Sequence, residues 1–188
     1  MIPYGTFTFF LIAFIVLIPV IILGFLGKRS YIYNGISTAI MIVIIFASDK
    51  HNLLGQKYLS AQLFCFIIYV IWQVALIMYY YQSRQRKNTF TKFVTIMVLS
   101  ILPLAIVKIL QSSWLGGHQI HFHESKLIEF VGFLGISYVT FKSVQLIMEI
   151  RDGSIKEIKV GKLIQFISFF PTISSGPIDR YKRYVKDD

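Results

Sequence analysis

Five runs of apolar residues, each close to the length of a membrane crossing, constrain this sequence more than any other feature. They fall at about residues 6–27, 31–48, 59–81, 93–110 and 127–150. A helix rises ~1.5 Å per residue, so roughly 20 apolar residues cross a ~30 Å hydrocarbon layer. In lipid every backbone polar group must be satisfied internally, and a helix is the form in which one isolated run achieves this. The chain has 188 residues, 55% of them hydrophobic. The expectation is an all-α protein: a polytopic transmembrane helical bundle, a single membrane domain over 1–188 with about five spans. Residues 155–178 begin amphipathic and become apolar without being long enough to cross. They read as an interfacial or re-entrant helix.

A net charge of +10 raises the question of nucleic acid, but the distribution of the charge answers it. The basic residues sit in short clusters between apolar runs, with no reading module and no soluble basic face, so no nucleic-acid partner is expected. Fourteen of the 19 Lys and Arg residues fall on one side of the alternating runs, including Lys28, Arg29, Arg84, Arg86, Lys87 and Lys92. Lys50, Lys57 and Lys126 fall on the other, and Lys108 and Lys142 lie inside runs. The rich side faces the cytoplasm by the positive-inside rule, which puts the N-terminus outside a multi-pass protein of the cell membrane, in contact with membrane lipids. Met1-Ile2-Pro3-Tyr4 has no basic n-region, so the first run is expected to stay in the protein. Cys65 is the single cysteine, and a disulfide within the chain is excluded.

Within the runs, Pro19 and Pro103 mark kinks that neighbouring helices must accommodate. Tyr31, Tyr33 and the Tyr79-Tyr80-Tyr81 triplet read as interfacial aromatics. Lys108 lies near the end of its run and can snorkel outward. Lys142 is the costly residue, since an ammonium at mid-membrane costs ~2.5–3.5 kcal/mol on insertion scales and generally faces protein or a wet cavity. Tyr138, Lys142, Gln145 and Glu149 are spaced four, three and four residues apart, on one helical face. Gly132 and Gly135 nearby permit close helix approach. Two readings stand: a polar substrate tunnel that recognises an anionic or carbonyl-bearing group, or an interhelical network involving Glu149 or Glu129.

Ser174-Ser175-Gly176-Pro177-Ile178 reads as a break in a helix, or as a turn leaving the membrane. Arg180, Lys182 and Arg183 follow, either as a headgroup-facing segment or as a dock for an acidic cytosolic partner. His118, His121, His123 and Glu124 have metal-binding chemistry, but their outer polar loop accounts for them, and no metal site is assigned. No serine, cysteine or histidine set for nucleophilic catalysis is visible, so no catalytic residue is assigned.

Three segments carry a family resemblance: Gly135-Ile136-Ser137-Tyr138-Val139-Thr140-Phe141-Lys142, Phe169-Phe170-Pro171-Thr172 and Ser175-Gly176-Pro177-Ile178-Asp179-Arg180-Tyr181. Together they resemble the membrane-bound O-acyltransferase family, and within it the branch that transfers D-alanyl groups. The likeness runs along the whole chain but over only about the first half of the family pattern. It implies a partial acyltransferase fold. It also implies an activity that takes D-alanine from the phosphopantetheine thioester of a cytosolic D-alanyl carrier protein and passes it to lipoteichoic acid, alongside other membrane components of the same pathway. The phosphopantetheine would belong to the carrier, and no cofactor is expected on the chain. Ser175, Gly176, Pro177 and Ile178 are implied as a tunnel-lining or scaffold element, with Tyr138 and Lys142 as polar core residues. The family's catalytic histidine falls beyond Asp188, so these 188 residues alone are expected to be inactive. A transporter or permease fragment, which would also use an interrupted helix and a buried lysine, and a non-catalytic membrane partner are the alternatives.

Overall fold

The computed structural model describes residues 7–26, 31–47, 57–86, 89–111, 135–155, 157–169 and 180–187. It is helical, with no strand among the described residues. The helices are α1 (Phe7–Phe25), α2 (Tyr31–Ala47), α3 (Lys57–Arg86), α4 (Phe90–Gln111), α5 (Ile136–Arg151), α6 (Val160–Ser168) and α7 (Tyr181–Asp187). Two of them, over Leu63–Arg86 and Phe90–Ile109, are long and apolar enough to cross a membrane. α1 and α2 carry shorter apolar stretches, Leu11–Leu23 and Ile32–Val43. Residues 127–134, at the start of the fifth expected span, lie outside the described residues, as do all four histidines and Ser175 to Ile178.

The chain divides into two compact units, residues 1–63 and 64–187. In the first, α1 packs on α2. Pro19 sits inside α1, where its ring removes one intrahelical hydrogen bond. The second unit holds most of α3 and all of α4 to α7.

In this second unit apolar residues cover the outside of the helices as well as filling the core. Phe64, Ile68, Ile71 and Trp72 on α3 and Val98, Ile101, Leu102 and Ile106 on α4 are exposed, while Gln73 and Ser100 are wholly buried. An apolar exterior is what lipid selects, and small or polar residues then join the helices. Tyr69, Gln73, Ser100 and Thr140 form one directed chain. Thr140 Oγ1 donates its single proton to the Ile136 carbonyl at 2.6 Å, so Tyr69 must donate to Thr140, also at 2.6 Å. The Tyr69 oxygen in turn accepts from Gln73 Nε2 at 2.8 Å. The second amide proton of Gln73 goes to the Ser100 carbonyl at 3.0 Å, and Ser100 Oγ donates to Gln73 Oε1 at 2.8 Å.

Every proton and lone pair that these groups need is thus matched across three helices. The Ser100 carbonyl lies one turn before Pro103, which is inside α4, so α3 supports α4 beside its kink. Gln73→Leu is expected to remove the link and cost ~0.6–1.7 kcal/mol, the range measured for interhelical hydrogen bonds in membranes. The check is thermal unfolding of the full-length protein in detergent, where an unchanged melting temperature would show the link to be idle.

The same contacts fix the directions of the helices. Along α3, Tyr69 meets Thr140 of α5 and Tyr80 meets Phe93 of α4, with ring centroids 6.1 Å apart. Arg151, at the end of α5, lies 4.3 Å over the Phe93 ring. Hence α4 runs antiparallel to both α3 and α5. α3 also continues further than its apolar run, through Arg84 and Arg86, because long basic side chains at a helix C-terminus suit both its dipole and the membrane boundary. Tyr79, Tyr80 and Tyr81 do not form a uniform belt: Tyr79 is exposed and Tyr80 is buried, as the ~100° step between consecutive helical residues requires. Lys108 is exposed in the last turn of α4.

Candidate functional site

α5 is the element that gathers polar groups, and glycine defines both its ends. Gly135 precedes it with φ 93° and ψ −4°, a left-handed conformation that side-chain-bearing residues disfavour. Its carbonyl accepts the Val139 N–H at 3.0 Å. Gly135 therefore starts the helix, where the sequence suggested a site of helix approach. At the other end the Ser154 N–H reaches the Glu149 carbonyl and the Gly153 N–H reaches the Ile150 carbonyl, both at 3.1 Å. With Gly153 at φ 75°, this is a Schellman closure, which satisfies the last carbonyls of the helix.

Between these ends, Lys142 is buried at 2% exposure. Its ammonium faces α6, donating to the Phe166 carbonyl at 3.1 Å and more weakly to the Ile167 carbonyl at 3.5 Å. It also lies 5.6 Å from the centroid of the Phe166 ring. The last carbonyls of any helix lack intrahelical partners, and a cation there meets the negative end of the dipole. Lys142 thus caps α6 from a neighbouring helix. Phe169 then turns extended, at φ −55° and ψ 111°, two residues before Pro171. Of the other expected tunnel residues, Tyr138 and Gln145 are half-buried on α5, and Ser175, Gly176, Pro177 and Ile178 lie outside the described residues.

α6 has nine residues, a length of ~14 Å, too short to cross. Its Phe166 ring stacks edge-on to Tyr181 at 5.4 Å and tilts against Tyr184, also at 5.4 Å. Phe169 meets Tyr184 at 6.0 Å. α7 therefore sits on α6 by its tyrosine face, and Arg180, Lys182 and Arg183 are exposed. Glu149, half-buried on α5, is turned toward this junction. The Lys182 backbone N–H, the Gln145 side chain and the Arg180 and Lys182 charges act on its carboxylate, though none closes to a full hydrogen bond.

Sequence reasoning missed two features. The first is the Phe166 ring as the hub joining α5, α6 and α7. The second is the Tyr69–Gln73 pair, whose i, i+4 spacing inside an apolar run was the available signal. The described residues hold no group of three potential metal ligands. They position and brace, and none forms a nucleophile–base pair.

An apolar outer surface, membrane-length α3 and α4 and buried polar links between helices are the features of a helical membrane protein. The chain is homologous along its whole length to the teichoic acid D-alanyltransferases. It is 46% identical to the teichoic acid D-alanyltransferase of Bacillus subtilis over 189 aligned positions, covering 100% of this chain and 44% of that protein. Against the enzyme of the same name from Lacticaseibacillus rhamnosus it is 41% identical, over 98% of this chain and 42% of the relative. The Streptococcus thermophilus enzyme is 32% identical, over 98% of this chain and 40% of the relative. The chain thus spans less than half the length of the curated relatives it matches. No family model matches it. The D-alanyl-transfer branch that the resemblance pointed to is the one these relatives carry in their names.

Proposed function

We propose that this chain forms the N-terminal membrane part of a teichoic acid D-alanyltransferase of the membrane-bound O-acyltransferase type. The observation that carries the proposal is the 46% identity running the full length of the chain. In this reading five spans form one membrane domain with the N-terminus outside. The protein receives D-alanine from the phosphopantetheine thioester of a cytosolic carrier protein and transfers it to lipoteichoic acid. A hydroxyl of the acceptor attacks the acyl carbonyl and loses its proton to a general base, while the carbon–sulfur bond of the thioester breaks and the phosphopantetheine thiol leaves, taking up a proton. In this reading that base comes from the part of the relatives' length that this chain does not span. Tyr138, Lys142, Gln145 and the Ser175-Gly176-Pro177-Ile178 segment line the passage of the acyl group, with Lys142 holding its floor through α6. Arg180, Lys182 and Arg183 dock the acidic carrier.

The test is the D-alanine ester content of teichoic acid in cells carrying the full-length protein as their sole copy. Deletion is expected to abolish the esters and complementation to restore them. Unchanged esters after deletion would refute the assignment. Arg180→Glu combined with Arg183→Glu is expected to weaken carrier-protein association about tenfold at low salt. The difference should shrink above about 0.15 M ionic strength, where the screening length falls to roughly 8 Å. Equal binding of both forms at low salt would remove docking from α7.

A further inference from the structure

Near the end of α3, beside the closing turn of α5, several donors lie close together. Tyr80 is 2% exposed and its hydroxyl has no hydrogen-bond partner. The Arg84 Nε is likewise buried and without a partner. Burying a donor without an acceptor costs about 1–3 kcal/mol, so two at one place call for an explanation. The charges acting on the Tyr80 oxygen are Arg84 and Arg151 against one carboxylate, Asp152. Arg151 spreads its guanidinium 4.3 Å over Phe93 and 5.7 Å over Phe90, which occupies its face and leaves its in-plane N–H groups for an acceptor. Arg84 is held against Gly153, its terminal nitrogen 3.1 Å from where a Cβ would stand.

We propose that Tyr80, Arg84 and Arg151 form a binding site for a phosphate-type oxyanion, supplied by the headgroup of an anionic membrane lipid or by soluble phosphate. Guanidinium groups match phosphate oxygens in a planar fork, and charge-assisted bonds of this kind are about twice as strong as neutral ones. A lone hydroxyl cannot hold such an anion, but here two guanidinium charges act on it. The depth also fits. The site lies along the last two turns of membrane-length α3, beside the first turn of membrane-length α4, which is the level of lipid phosphates. Asp152 is exposed and opposes binding, and against Arg84 and Arg151 it leaves one positive charge in excess. This inference stands apart from the acyl-transfer reading.

The experiment uses the purified full-length protein in detergent, with phosphatidylglycerol, phosphatidylcholine or inorganic phosphate added and thermal unfolding followed. Phosphatidylglycerol is expected to raise the melting temperature where phosphatidylcholine does not. Arg84→Gln with Arg151→Gln should weaken that response at least about tenfold in apparent affinity, since each lost charge-assisted bond is worth roughly 1.5–3 kcal/mol. If inorganic phosphate reproduces the shift, the source is free phosphate. If only the lipid does, it is the headgroup. Arg151 is exposed, so Arg151→Gln alone carries the test should Arg84→Gln fail to fold. The proposal is overturned if neither additive shifts the wild type, or if the substituted protein responds with unchanged affinity.

Discussion

Lys142→Met in the full-length protein is expected to lower stability by about 1–3 kcal/mol, the cost of leaving buried carbonyls unpaired. The substituted side chain fills nearly the same volume, so packing alone predicts little change. The loss should come from the Phe166 and Ile167 carbonyls, which the ammonium meets at 3.1 and 3.5 Å. Lys142→Ala adds a cavity and is expected to cost more, about 2–5 kcal/mol by comparison with other large-to-alanine changes. Thermal unfolding ranks the three proteins. Because Phe166 also supports Tyr181 and Tyr184, protease sensitivity of α7 should rise with the Met substitution. A melting temperature equal to wild type for Lys142→Met would show that the amine does not brace α6.

The second large effect is expected at Gly153. Its φ of 75° imposes a penalty on any side chain, about 1–2 kcal/mol for alanine, and a Cβ would also stand 3.1 Å from the Arg84 guanidinium. Gly153→Ala should therefore lose more than the backbone penalty alone, and Gly153→Val more again, since a β-branched residue is poorly suited to positive φ. In an Arg84→Ala background the steric share disappears and only the backbone share should persist. A double-mutant cycle on unfolding separates the two. Additive losses would mean that Arg84 and Gly153 do not press on one another.

What could be read from the sequence follows from how strongly lipid constrains a chain. The apolar runs placed α1 to α4 within a few residues, because every backbone group in hydrocarbon must be bonded within its own helix. The ends were less legible. Arg84 and Arg86 belong to α3 although their charge suggested a loop, since a helix may run past the hydrocarbon edge wherever its side chains reach water. That Lys142 would avoid lipid was legible from its depth alone. Its partners were not, because the carbonyls of Phe166 and Ile167 lie 24 and 25 residues away and main-chain acceptors leave no mark in a sequence. Gln73 and Ser100, 27 residues apart, were hidden for the same reason. The Ser-Gly-Pro element lies outside the described residues, so its role rests on the family resemblance.

The row of hydroxyls and amide joining Gln73, Tyr69 and Thr140 bears on what kind of traffic this bundle can carry. Proton-driven carriers move hydrogen ions by hopping between titrating carboxylates or imidazoles. Here one end is the Gln73 carboxamide, tied on to Ser100, and the other is a peptide oxygen. This row is therefore a fixed tie between helices and no relay for hydrogen ions.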